Sequence, residues 1–234
     1  MSEDGKDTKH VSCLNCFKRA PLFNMLTIEE LNNIECHRTE VTFNKGELIH
    51  KSGTQSSHVI SFNAGLAKLY LEDHKGRHKI IKLIKAHDFF VSPGVFSNNR
   101  HHFSIKTLTK SSVCMIETEV FKQIMQVNSK FAFEYISLIN NNLLEITAKM
   151  HNLVRKHNTG KIAETILYLE SEIYQTNPYT FNLSSSDIAD LSGMGRDSAI
   201  RILNEFNNEG IIEYDKKSIK IVNRDLLESI SENG

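Results

Sequence analysis

The chain has 234 residues, is 40% hydrophobic, and balances 28 Lys and Arg against 28 Asp and Glu. That supports one large core or two smaller ones, and it excludes adhesion to nucleic acid through bulk charge while leaving room for a local basic face. No apolar run approaches the ~18 residues of a membrane span, and the polar start MSEDGKDTKHVS lacks the apolar core of a secretion signal, so the expected compartment is a reducing cytoplasm.

Residues 1–20 read as a polar arm carrying Cys13 and Cys16 in a C-x-x-C pair; the other two cysteines are Cys36 and Cys114. In a reducing compartment such a pair binds metal or does redox chemistry more readily than it closes a structural disulfide. The plain alternative is a set of small buried hydrophobes and an idle arm. Residues 21–128 read as one unit. LFNMLTIEELNNI predicts a helix capped by Thr27, with Glu30 closing a capping box and Leu26 and Leu31 placed as a staple. From Val41 to Ile116 short β-rich runs (VTF, LIHK, HVISF, LAKLYL, KIIKLI, FSIKTL, VCMI) alternate with glycines, the spacing of an antiparallel sandwich or barrel.

After Glu117 the pattern turns helical. VFKQIMQ predicts a short helix, and a long one follows from about Phe131 to Val154 within a unit spanning 129–158. Ile139, Leu143, Ile146, Met150, Leu153 and His157 alternate in steps of four and three, the seam of a coiled coil, which points to dimerisation rather than packing on the chain's own domain. Thr159-Gly160 reads as a hinge, and KIAETILYLESEIY as a further helix opening the last unit, 159–234.

That unit carries the clearest functional signal, LSSSDIADLSGMGRDSAIRILNEFNNEGIIEYDKKSIKIV. Ser184 with Asp187 starts a short helix, Ser192-Gly193 turns the chain, and a second helix begins near Gly195-Arg196: a helix-turn-helix followed by a hairpin wing, IIEY and SIKIV around DKK. Arg196 and Arg201 can bond to guanine and Asp197 can accept from cytosine, while Ser184, Ser185 and the free N–H groups near Gly195 suit phosphates. The alternative is an ordinary helical hairpin with solvated charges. From Asn158 onward seven Lys and Arg face thirteen Asp and Glu, so affinity for DNA has to come from a few cations such as Lys216, Lys217 and Lys220 on the wing. No phosphate loop, paired-carboxylate motif or nucleophile–base signature points to an enzyme.

NKGELIHKSG (44–53), NAGLAKLY (63–70), HDFF (87–90) and SGMGRDSAIRILNEF (192–206) together resemble the cyclic-AMP receptor/Fnr family of bacterial transcription regulators over nearly all of residues 20–230. The resemblance implies an α+β fold: an N-terminal antiparallel β-roll of the cyclic-nucleotide-binding, jelly-roll kind, a long dimerisation helix and a C-terminal winged helix-turn-helix. It places base reading on Arg196, Asp197 and Arg201, where the cyclic-AMP branch has Arg, Glu and Arg. It implies a homodimer on a palindromic duplex, with RNA polymerase as a partner. Cyclic-nucleotide binders carry a Glu for the ribose and an Arg for the phosphate; here those positions are Ser92 and His102-Phe103, so cyclic AMP is not the expected effector. Arg100 or Lys106 could supply charge without the same fork geometry.

The Fnr branch holds an iron–sulfur cluster on four cysteines. Cys13 and Cys16 match the arm pair and Cys114 the late strand position, but the third arm cysteine, expected near Leu22, is missing, with Cys36 as its substitute. Haem is a further option, given His58, His74, His78, His87, His101 and His102 in the sensor region. The reading is therefore a sequence-specific DNA-binding regulator with an effector- or redox-responsive sensor domain, against a ligand-free regulator of the same fold controlled by abundance.

Overall fold

The computed structural model describes residues 12–16, 19–73, 76, 78–215 and 217–234. Most of the arm, His74 and Lys216 lie outside the described residues.

Eight strands build the first half: β1 (Arg38–Phe43), β2 (Leu48–His50), β3 (His58–Ala64), β4 (Leu66–Glu72), β5 (His78–Lys85), β6 (Phe89–Phe90), β7 (Ser104–Thr107) and β8 (Ser111–Glu117). They form two antiparallel sheets, ordered β1-β8-β3-β6 and β2-β7-β4-β5. All seven anticipated runs are strands. The extra one, β6, lies in the HDFF motif and pairs Phe90 with Ile60. Ile60, Phe62, Ile84, Ile105 and Val113 fill the roll between the sheets. β3 is buried along its length because both its faces are covered: Ile60 and Phe62 point into the roll, and Val59 joins a second core outside it. Continuous burial explains why the period-two alternation is weak there.

That second core belongs to α1 (Ile28–Cys36), α2 (Thr118–Val127) and the start of α3 (Ser129–Arg155). Thr27 and Glu30 make both halves of the predicted capping box. The Phe121 ring stands edge-on to Tyr135 at 5.1 Å and to Phe131 at 5.9 Å, which pins the first two turns of α3 to the roll.

Along another side α3 presents an apolar stripe that none of the described residues covers. Phe133 (71% exposed), Ile136, Leu143, Met150 and Val154 (88%) stand on it. With Asn140 and Thr147, whose side chains donate back to the helix carbonyls of Ile136 and Leu143, they complete a run of steps of three and four. This corrects the predicted seam. Ile146 and Leu153 face a cleft within the chain's own fold, and His157 caps the next helix. Two interleaved stripes share Leu143 and Met150, and the pattern of letters does not say which one is free.

The second half comprises α4 (Asn158–Tyr168), which runs on into a wider π turn at Leu169–Tyr174, then β9 (Tyr179–Thr180), α5 (Ser185–Leu191), α6 (Arg196–Asn208), β10 (Ile212–Tyr214), β11 (Ser218–Ile221) and α7 (Arg224–Asn233). Its sheet is ordered β10-β11-β9, so the predicted wing is present with an added strand. The predicted hinge is displaced. The break between α3 and α4 falls at Lys156–His157, and Gly160 lies inside α4, buried, where a Cβ would come 2.8 Å from the Gly234 carbonyl oxygen. Glycine is needed there for a close crossing with the end of α7.

The two halves share a core. Leu66 and Tyr70 of β4, and Ile80 and Leu83 of β5, pack into the cluster built by Ile162, Ile188, Leu203 and their neighbours. At its edge Lys68 Nζ meets Asp187 Oδ1 at 2.5 Å, with side chains only 12% and 9% exposed.

The turn between β3 and β4 depends on Gly65, at φ +94°, where a Cβ would sit 2.3 Å from Ser111 Oγ and 2.6 Å from the Lys110 carbonyl oxygen. Gly65→Ala is expected to lower stability by about 2 kcal/mol or more, measured by urea unfolding. An unchanged midpoint would show that the turn relaxes freely.

Candidate functional site

The helix-turn-helix is assembled by three local devices. Ser184 Oγ accepts the Asp187 N–H at 3.2 Å, while Asp187 Oδ2 accepts the Ser184 N–H at 2.9 Å, closing the box at the start of α5. Burial works to raise the Asp187 carboxyl, but hydrogen bonds from Lys68 and Ser184 outweigh it and hold the carboxyl below its usual range. Gly193 takes φ +68° in the turn. Gly195 then caps α6 in an extended conformation.

α6 is amphipathic. Ala199, Ile202, Leu203 and Phe206 face the core, and the opposite side is an open surface carrying Asp197, Ile200, Arg201, Asn204 and Asn208. Arg196 and Asp197 sit exposed in its first turn, where a groove-inserted helix reads bases. Arg201 Nη1 pairs with Glu205 Oε1 at 2.5 Å across one turn, so this arginine has an acidic competitor on its own helix. Asn204, which can read adenine, lies on the same face, and the RDxxxR pattern does not single it out.

The phosphate-facing roles proposed from sequence are less free than the spacing implies. The Ser184 hydroxyl also donates to Asp187 at 2.7 Å, so this serine helps hold the motif together. On the wing, Lys217 is exposed, whereas Lys220 is paired with Glu213 at 2.9 Å.

In the sensor half the three predicted pocket residues part company. Ser92 is buried, its hydroxyl donating to the Arg100 carbonyl at 3.4 Å, and Phe103 packs on the roll interior. His102 faces outward against Asn98 at 3.2 Å. The Arg100 guanidinium reaches the Gly53 carbonyl at 2.7 Å. The side chain brought inside is His101, which stacks on His50 with ring centroids 3.7 Å apart and planes 7° apart. His50 in turn lies over Phe90 at 5.7 Å. Both ring nitrogens of His50 and Nδ1 of His101 are buried without a hydrogen bond. Burial, with His101 adding, pushes His50 down to about 3, and burial also lowers His101. Sequence reading missed His50, since its pairing depends on bringing β2 beside the segment before β7.

The cysteines do not assemble a cluster site. Cys13 and Cys114 are buried around an ion pair between Arg38 and Glu35. Arg38 Nη1 lies 3.3 Å from Cys114 Sγ, and Glu35 takes the Cys13 N–H. Burial raises both thiols, Cys13 to about 12. Cys36 is exposed at the end of α1, and Leu22, standing where a third arm cysteine was expected, is buried in the second core. Among the described residues no group of three or more His, Cys, Asp or Glu is arranged to hold a metal ion. The residues present therefore do not fit an iron–sulfur cluster, and nothing below is routed through one.

The histidine stack has a pH signature. Its rings protonate more readily in the unfolded chain, so stability is full above about pH 6.5 and declines as pH falls toward about 3. His50→Phe keeps a ring on His101 and is expected to flatten that decline, by up to ~1.4 kcal/mol per pH unit, in urea unfolding at pH 7 and pH 5. Equal slopes in the two proteins would place the acid sensitivity elsewhere.

Comparison with known proteins matches both halves. The cyclic nucleotide-binding domain model covers residues 40–128, and the Crp-like helix-turn-helix domain model covers residues 160–230. The cAMP-activated global transcriptional regulator CRP of Salmonella typhimurium is 24% identical over 181 residues, spanning 76% of this chain and 86% of that protein. Electron transport regulator A of Shewanella oneidensis is 23% identical over 193 residues, 81% of this chain and 77% of that one. In fold, FixK2 of Bradyrhizobium japonicum superposes with a TM-score of 0.76 at 20% identity, covering 82% of this chain and 96% of its own. A cyclic nucleotide-binding domain followed by a Crp-like helix-turn-helix domain, in this order along one chain, places it in the Crp/Fnr family of DNA-binding transcription regulators.

Proposed function

We propose that this regulator is a homodimer that reads a palindromic duplex with two copies of α6, and that its sensor domain answers to something other than cyclic AMP. The exposed first turn of α6 carries the reading, since Arg196, Asp197 and Arg201 all stand on the face that the core leaves free. The apolar stripe from Phe133 to Val154 supports dimerisation: a second copy in parallel would cover it, and buried apolar surface contributes roughly 25 cal/mol per Å². RNA polymerase enters as a partner from family resemblance alone.

The pocket chemistry supports the second part. Ser92 supplies neither a carboxylate for a ribose nor a charge, His102 faces outward, and the Arg100 guanidinium is held by a backbone carbonyl. Phe90, Phe103 and Met115 pack on the roll interior, which favours the second reading of a regulator controlled by abundance.

Two measurements test this reading. Fluorescence anisotropy on a palindromic duplex should show binding that weakens steeply with salt, and Arg196→Ala should relax base preference by about 1–3 kcal/mol at one position per half-site. Unaltered preference would remove α6 from base reading. In light scattering, Leu143→Glu is expected to convert a dimer to a monomer with unchanged circular dichroism, and a variant that stays dimeric would place the interface elsewhere.

A further inference from the structure

A cleft of about 560 Å³ lies where the sensor sheet, the long helix and the DNA-binding unit meet. That is within the usual size range for a small-molecule site. Leu83 comes from β5, Ile146 and Leu153 from α3, and Tyr168 from α4. Ser92, His102 and Phe103 take no part in its lining, so it is separate from the sensor residues singled out in the sequence.

Lys149 gives this cleft its chemistry. Its Nζ donates to the backbone carbonyls of Ile81 at 3.0 Å and Ile80 at 3.4 Å. Among the described residues no carboxylate stands within ion-pair distance of it. Glu164, the acid that acts on it from α4, is engaged by Asn152 at 2.6 Å and Lys156 at 3.2 Å. The other acids on the wall are also accounted for: Glu145 pairs with Lys82 at 3.0 Å, Asp88 accepts the Lys85 N–H at 2.9 Å, and Glu172 is exposed at the rim. Burial pulls the Lys149 ammonium down to about 8. A buried cation held only by carbonyls keeps one proton and most of its charge uncompensated. An anion entering the cleft would meet that charge in a poorly solvated place, where the attraction is strongest.

We propose that this cleft binds a small organic anion, with an acidic head on Lys149 and an apolar body against Leu83, Ile146, Leu153 and Tyr168. Such a ligand touches β5, α3 and α4 together, so it fixes the DNA-binding unit against the sensor sheet. It also bears on Leu153, whose methyl carbon would lie 2.6 Å from a Cβ placed on Gly193 in the turn before α6. The binding claim stands apart from the regulatory reading above, and only its consequence for DNA rests on that reading.

The test uses the full chain and two fluorescent probes with one aromatic body, 1-anilinonaphthalene-8-sulfonate and its neutral counterpart N-phenyl-1-naphthylamine. The sulfonate should bind saturably and more tightly than the neutral probe. Lys149→Met, which keeps length and removes charge, should weaken the sulfonate by about tenfold or more and leave the neutral probe unchanged. Ala148→Trp, which fills the cleft from an exposed helix position, should abolish both. Equal affinity of the two probes, or sulfonate binding that survives Lys149→Met, would overturn the anion assignment. Binding of both probes that survives Ala148→Trp would overturn the site itself.

Discussion

The contact on which the rest of the structure depends is the outer face of β4 and β5 packed into the core of the DNA-binding unit. Without Leu66, Tyr70, Ile80 and Leu83 that small unit would have one wall of its core open to water. The sheet therefore completes two cores at once, one on each face. The ion pair from Lys68 to Asp187 sits at the edge of this contact, largely withdrawn from solvent, and gives direction to an otherwise non-directional apolar surface. Its worth lies in registry, because desolvation offsets much of the attraction in a pair buried to this extent.

This contact involves α5 and leaves α6 clear. Asp187 belongs to the first helix of the motif, and the groove-facing side of the second helix is open. On the proposed reading of a dimer on two half-sites a helical turn apart, control through the sensor sheet would act on how α6 is oriented, since a small rotation of α5 on β5 changes fit without hiding a residue.

The parts legible in sequence were those set by local chemistry. The capping boxes at Thr27 and Ser184, the turn at Gly193 and the hairpin wing each depend on a few adjacent residues, and all are present. Features that depend on distant packing were not legible. Which of two interleaved stripes on α3 is exposed is decided by the cleft that takes Ile146 and Leu153. Gly160 looks like a hinge until α7 crosses it. The engagement of Asp187, the capping partner of Ser184, by Lys68 is likewise invisible until the sheet is in place. Strand β9 and helix α7 carried no distinctive local pattern.

The acidity of the DNA-binding unit bears on how such a regulator finds its target. Thirteen acids against seven bases, and a wing lysine already neutralised by Glu213, leave little to attract phosphates irrespective of sequence. A chromosome offers on the order of 10⁶–10⁹ decoy positions, and a strongly basic protein is titrated by them. A unit with this charge balance is expected to be held by them only weakly, so that its free concentration stays close to its total and a modest number of copies suffices for an operator of ordinary strength.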